Sequence, residues 1–388
     1  MLSKRVKKLK PSPTMAVDAK VKELQKKGVT IVNLGLGEPD FPTPKVIADA
    51  GIEAIRTGFT HYTPVAGIPE LKNTIITQLQ TDYNLSYSTD EIVVGVGSKA
   101  LLYNIFMALC NKGDEVIVAT PTWSTYLEQI RLAEGVPVEI KLAPPFKLTA
   151  AEVEKAITKK TKIILLNSPC NPTGAVIERP ELEKIAALAV NNNIVVVSDE
   201  IYDKLRYSKT PYISIASLGN EIKKRTILVN GFSKTFAMTG WRIGYAAGPK
   251  EIITALSSLQ GQITSNTSSI AQKAAIVAIK EGAEEAQKMA REFTKRREHL
   301  IREFEKIDRL SFTAPEGAFY FFVSIEKLLS EKYTTSSDWC TALLEQEHVA
   351  VVPGEAFEAP GYFRLSFAAN ASDLDKGIEG IKRFIHAK

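Results

Sequence analysis

The sequence predicts an α/β protein built on a mostly parallel seven-stranded sheet, with a smaller α/β domain beside it. Two observations predict it. From about residue 90 to 250, short runs rich in Val and Ile alternate with segments of helical periodicity. Runs that are apolar throughout belong to strands covered by helices on both faces. After about residue 283 this alternation gives way to one long helical pattern followed by three strand-like runs.

The elements follow in order. The first ~45 residues read as a helix-like segment and the extended, proline-rich GLGEPDFPTP (35–44). Strand EIVVGV (91–96) precedes the helical SKALLYNIFMALC (98–110), and DEVIVAT (114–120) precedes TWSTYLEQIRLAEG (122–135). VPVEIKL (136–142) leads to TAAEVEKAI (149–157), where Thr149 and Glu152 have capping-box spacing. TKIILLNSP (161–169) precedes the helix 180–192, and IVVVSDEIY (194–202) comes next. RTILVN (225–230) and RIGYAAG (242–248) complete the seven. The long helical pattern spans roughly 283–307, with Met289, Phe293, Leu300 and Phe304 on one face. GAFYFFVSI (317–325), VAVVPG (349–354) and YFRLSFA (362–368) read as strands of the smaller unit.

Composition narrows the function. The 388 residues are 45% hydrophobic, enough for a large core. The net charge of +5 is mild and interspersed, which argues against a nucleic-acid partner. Its one basic cluster, residues 2–10, reads as a solvated terminus. No apolar run approaches the ~20 residues of a membrane span, and no signal-peptide core is evident. Cys110, Cys170 and Cys340 are few and unclustered, so a cytoplasmic location is expected, with no disulfide framework and no metal site. His61, His299, His348 and His386 lie far apart in sequence, which gives poor support to a histidine-based metal site or triad.

In open α/β sheets, ligands bind beyond the carboxyl ends of the strands. The segment GFSKTFAMTGWRIG (231–244) places Lys234 there, between two core strands. Lysine is among the residues least often buried without a partner. Asp199 ends the apolar run IVVV, and a carboxylate at a buried strand end needs a cation or hydrogen-bond donors. Gly97, Ser98 and Lys99 stand where a helix start can hold a phosphate. Taken singly, Gly97 reads as a turn, Asn171 as a turn residue before proline, Asp199 as a salt-bridge partner, and Trp123 and Tyr126 as core. Together with Tyr202 they supply a phosphate cradle, an amine, a carboxylate, an aromatic plate and hydroxyl and amide donors. Those are the parts needed to hold pyridoxal 5'-phosphate.

At this point the chain resembles the fold-type I pyridoxal-phosphate aminotransferases, the aspartate aminotransferase family, over nearly its whole length. The resemblance rests on GFSKTFAMTGWRIG, NPTG (171–174), SDEIY (198–202), YTPVAGIPELK (62–72), GEPDF (37–41) and FRLSFA (363–368), in the family's order. It implies a large cofactor-binding domain at 45–283 and a small domain made of 1–44 and 284–388. It also implies that Lys234 bonds the cofactor and moves the proton at substrate Cα. Asp199 would pair with the ring nitrogen, Asn171 and Tyr202 would donate to the ring oxygen, and Trp123 would stack on the ring. Arg242, with the amides of Ser98 and Lys99, would hold the phosphate. Tyr62 would reach the phosphate from a neighbouring subunit, so a homodimer is expected. Arg364 would bind the substrate α-carboxylate, beside Gly37, Trp123 and Asn171. The Thr120–Pro121 and Asn171–Pro172 bonds are cis in many relatives.

Two departures stand out. Gly231 occupies the place of a serine or threonine that binds phosphate in many relatives, with Ser233 and Ser98 as candidate substitutes. No motif matches the arginine that one branch uses for a dicarboxylate's distal group. A bacterial branch instead carries a lysine at the position of Lys99 and a Ser-x-Thr near the N-terminus, matched here by Ser12 and Thr14. Lys99 otherwise reads as a solvated helix-start lysine, although a cation there opposes the macrodipole and calls for an anionic partner. The resemblance thus implies amino transfer between aspartate and 2-oxoglutarate. The alternatives are prephenate, aromatic or alanine substrates, or a carbon–sulfur lyase. A non-catalytic regulator would need an additional DNA-binding domain.

Overall fold

The computed structural model describes residues 2–7, 9, 13–208 and 211–387. Its strands, in chain order, are β1 (Val32–Asn33), β2 (Ile92–Gly95), β3 (Glu115–Thr120), β4 (Val136–Lys141), β5 (Thr161–Asn167), β6 (Val195–Asp199), β7 (Thr226–Gly231), β8 (Gly244–Ala247), β9 (Ser311–Phe312), β10 (Tyr320–Ser324), β11 (Val349–Ala350), β12 (Val352–Pro353) and β13 (Tyr362–Ser366).

Seven of them form one sheet in the order β2-β8-β7-β6-β5-β3-β4. Only β8 runs against its two neighbours, so the sheet is mostly parallel, as expected. The middles of the central strands are apolar on both sides because both faces are covered. Ile163 and Leu165 face one core cluster while Ile164 and Leu166 face another, the two-residue alternation of a pleated strand. Helices Ser98–Leu109, Thr125–Leu132 and Lys250–Ile263 pack on the first face. Helices Ala150–Ala156 and Arg179–Asn191 pack on the second. The capping box at Thr149 and Glu152 is formed in both directions.

A second sheet, antiparallel in the order β12-β13-β10-β9, rests against the helix Ala283–Phe304. Met289, Phe293, Leu300 and Phe304 are its buried stripe. Arg296 on the same stripe is also buried, satisfied by Asp40 at 2.7 Å. The run 349–354 is not the single strand expected from sequence. It divides into β11, which pairs in parallel with β1, and β12, which joins β13. Two adjacent dipeptides therefore serve two different sheets, and hydropathy alone does not separate them. Thr120–Pro121 and Asn171–Pro172 are cis, as are Pro144–Pro145 and Ser168–Pro169. The core of the second sheet also takes in Ile201, Tyr202, Leu205 and Ala237 from the segments that follow β6 and β7. That shared core brings the ends of β6 and β7 against β10 and β13.

Candidate active site

Beyond the carboxyl ends of β2, β3, β5, β6 and β7 lies a cavity of about 560 Å³. Gly37, Ser98, Lys99, Trp123, Asn171, Asp199, Tyr202, Ser233, Lys234, Arg242 and Arg364 line it, with Tyr126, Asn167, Tyr320 and Glu38 among others. Parallel strands all deliver their end residues to the same side, so residues distant in sequence converge there. A larger crevice of about 720 Å³ lies between helices Pro69–Tyr83 and Ala283–Phe304. Its carboxylates are already paired, Asp82 with Lys204 and Glu70 with Lys273, which leaves Lys280 as its one unpaired charge among the described residues.

Asp199 is buried at the end of β6. Tyr126 Oη donates to its Oδ2 at 2.6 Å, and the Ile201 amide donates to Oδ1 at 3.2 Å. Burial raises its carboxyl to about 6, opposed by the Tyr126 and Ile201 hydrogen bonds and by Lys234. Lys234 Nζ donates to the Gly37 carbonyl at 2.6 Å. Burial lowers its ammonium to about 8; Glu38 pulls it up, and Arg364 and Arg242 push it further down. At that value roughly a tenth is free amine at pH 7, against well under a thousandth for an ordinary lysine.

Arg364, on β13, is 3% exposed. It donates to Asn171 Oδ1 at 3.0 Å and to the Gly35 carbonyl at 2.8 Å, and its Nε has no partner among the described residues. Asn171 is held in turn by its own amide on Asn167 Oδ1. Tyr202 Oη lies 2.8 Å from Tyr320 Oη. Lys99 Nζ sits 4.7 Å from the centre of the Trp123 ring, and burial followed by the charge of Arg242 lowers its affinity for a proton.

At the start of helix Ser98–Leu109, Gly97 has φ +77°, and a Cβ there would sit 2.8 Å from Arg242 Nη2. The glycine therefore clears a space where Arg242 meets the first amides of the helix, which have no partner within it. Gly231 is explained in the same way. A Cβ there would come within 2.9 Å of Ser98 Oγ and 3.1 Å of Gly244 Cα, so the Ser98 hydroxyl fills the room of a side chain at 231. Ser98 Oγ donates to the Asn230 carbonyl at 3.0 Å, while Ser233 lines the cavity.

These groups share one property. Among the described residues, Arg364, Arg242, Lys99, Lys234 and Asp199 form no ion pair. Such a set of unmet charges calls for a ligand with an anion at each end and a cation between them.

The aminotransferase class I and II family model matches residues 29–381. The chain belongs to that family. It is 43% identical to an aspartate aminotransferase of Bacillus sp. (strain YM-2), over 99% of each chain. It is 45% identical to a probable aspartate/prephenate aminotransferase of Aquifex aeolicus, over 98% of each. The solved aspartate aminotransferase of Thermus thermophilus with maleate matches with a TM-score of 0.94 at 41% identity, covering 99% of each chain. Pyridoxal phosphate is the cofactor this family implies, and the unpaired arginines, the unpaired buried carboxylate and the cleared helix start fit it.

The remaining expected residues fall as follows. Tyr62 is 90% exposed and does not line this chain's cavity. Ser12 lies outside the described residues, as does the Thr14 side chain. Sequence reasoning missed Tyr126 as the partner of Asp199, and Tyr320 altogether. For Tyr320 the available signal was a hydroxyl inside a fully buried apolar strand, which needs a partner.

Proposed function

We propose that this aminotransferase transfers an amino group between aspartate and 2-oxoglutarate with pyridoxal phosphate. The observation that carries the reading is the set of charged groups around one cavity with no ion partner among the described residues. Arg242 and the amides of Ser98 and Lys99 would hold the phosphate, with Ser233 at hand. Trp123 would cover the ring, Asp199 would hold its nitrogen protonated, and Asn171 and Tyr202 would donate to its oxygen. When bound, the cofactor supplies a carbonyl that condenses with amines and a ring that accepts the electron pair left at substrate Cα. Lys234 Nζ takes and returns the proton at that carbon, which a value of about 8 permits. Arg364 meets the α-carboxylate with a planar fork, beside Gly37, Trp123 and Asn171. Aspartate is the substrate common to both groups of named relatives, and the Thermus homologue is described with a four-carbon dicarboxylate. Lys99, without an anionic partner, serves the second carboxylate, together with Ser12 and Thr14.

Two variants test the substrate. Lys99→Ala should lower kcat/KM for aspartate roughly tenfold to a hundredfold, the worth of one hydrogen bond to a charged group. Phenylalanine, which has no second charge, should change little. Arg364→Leu should weaken both, because every amino acid has the α-carboxylate. An equal loss on both substrates in Lys99→Ala would assign Lys99 to the phosphate or the fold. Release of ammonia or thiol instead of half-transamination would mark a lyase.

The same reading takes 45–283 as the large domain and 1–44 with 284–388 as the small one. Gly282 separates helices Ser269–Glu281 and Ala283–Phe304 at that boundary, and β1 pairs with β11. It takes the protein as a cytoplasmic homodimer. Three free cysteines suit a reducing compartment. Tyr62, with the exposed Ile52, Ile55 and Ile263, suits a partner surface. Light scattering should give twice the chain mass, and an active monomer would remove Tyr62 from the site. Among the described residues, no helix is long and apolar enough to cross a membrane.

A further inference from the structure

The Tyr202 and Tyr320 hydroxyls form a hydrogen bond of 2.8 Å in which either atom can be the donor. Both residues are largely buried, at 3% and 1% exposure, and both line the cavity. The rings meet edge to face, with centroids 5.9 Å apart. Tyr202 comes from the end of β6 and Tyr320 from β10, so the bond joins the two sheets. Arg364 lies 4.3 Å from the centre of the Tyr320 ring. Gly37 leaves room for the Tyr320 hydroxyl, which would stand 3.0 Å from a Cβ at that position.

Proton counting gives this bond a direction. Each phenol has one proton to donate. If Tyr202 gives its proton to an anionic ring oxygen of the ligand, the Tyr202–Tyr320 bond must be supplied by Tyr320. A hydroxyl that accepts a hydrogen bond is polarised into a better donor. We propose that Tyr320 is a positioning residue that donates to Tyr202 and so commits the Tyr202 proton to the cofactor's ring oxygen. This inference rests on the reading that pyridoxal phosphate occupies the cavity with its ring oxygen at Tyr202.

The test uses the holoenzyme and the pH titration of its visible absorbance. A hydrogen bond to the charged form of a group favours that form. Weakening the donor to the ring oxygen should therefore make the cofactor hold its proton to higher pH. In Tyr320→Phe the ring and its stacking on Arg364 remain, and Asp199 and Arg364, the charged neighbours of Tyr202, are unchanged. The absorbance midpoint should rise by roughly 0.4 to 1 pH unit, the scale of one net hydrogen bond. Tyr202→Phe should raise it further. The double variant should match Tyr202→Phe alone, because Tyr320 acts only through Tyr202.

An unmoved midpoint in Tyr320→Phe would make Tyr320 a packing residue and overturn the proposal. A double variant displaced beyond Tyr202→Phe would also overturn it, since Tyr320 would then act independently. So would a Tyr320→Phe chain that no longer folds, because its hydroxyl would be serving the core. Failure of the cofactor reading looks different: the wild-type protein itself would show no visible band with pyridoxal phosphate.

Discussion

Lys234→Ala should cost at least a hundredfold to ten-thousandfold in kcat, the range for removing a positioned acid–base group. Loss of the amine proposed to bond the cofactor would add to it. The loss should fall on kcat rather than on folding. A buried ammonium is costly, and burial has already brought Lys234 down to about 8. Between that pH and the ordinary lysine value, the unfolded chain holds the proton and the folded one does not. From this residue, cofactor-free protein therefore gains stability as pH rises through that window, and below it the charged lysine is a burden. Lys234→Ala should lack this dependence and melt no lower than wild type near neutral pH. Circular dichroism melts across pH and single-turnover rates with aspartate check the two halves. A variant that turns over at the wild-type rate would remove Lys234 from the chemistry, and with it the proposed mechanism.

The fold was legible because parallel strands covered on both faces need unbroken apolar runs, and β3, β5, β6 and β7 have them at their centres. The strand-end rule then drew attention to Lys234, Asp199 and Asn171, and only their combination and the family resemblance gave them roles. What stayed hidden has a common physical form. Tyr126 and Tyr320 are core residues by burial and site residues by hydroxyl, and hydropathy records only the first property. The neighbours of Arg364 come from Gly35 and Asn171, 329 and 193 positions away, so no local pattern announces them. The exchange at Gly231 depends on the Ser98 hydroxyl, 2.9 Å from a Cβ that is not there. The division of 349–354 between two sheets depends on which edges are open, a tertiary property.

Asp199→Asn should lower turnover by a similar order, roughly a hundredfold or more, because a neutral amide cannot stabilise a positive charge on the ring nitrogen. Its diagnostic effect lies in pH. In the free protein Asp199 is a buried carboxyl raised to about 6, with Tyr126 on one oxygen, Lys234 near enough to oppose the rise, and no ion pair among the described residues. Between the ordinary aspartate value near 3.9 and about 6, the folded chain holds this proton and the unfolded chain has lost it. Stability from this residue is therefore greatest at low pH and falls as pH rises through that window, by roughly 3 kcal/mol in total. A protonated ring nitrogen alongside reverses the preference, since the ionised carboxylate then gains its missing cation. Cofactor affinity should accordingly be stronger above pH 6 than below pH 5 in wild type. The contrast should shrink in Asp199→Asn, where nothing titrates at that position. Cofactor titrations at both pH values in the two proteins measure the contrast. An identical pH dependence in wild type and Asp199→Asn would mean that Asp199 serves only Tyr126 and the strand end, and that the ring nitrogen is held by another group.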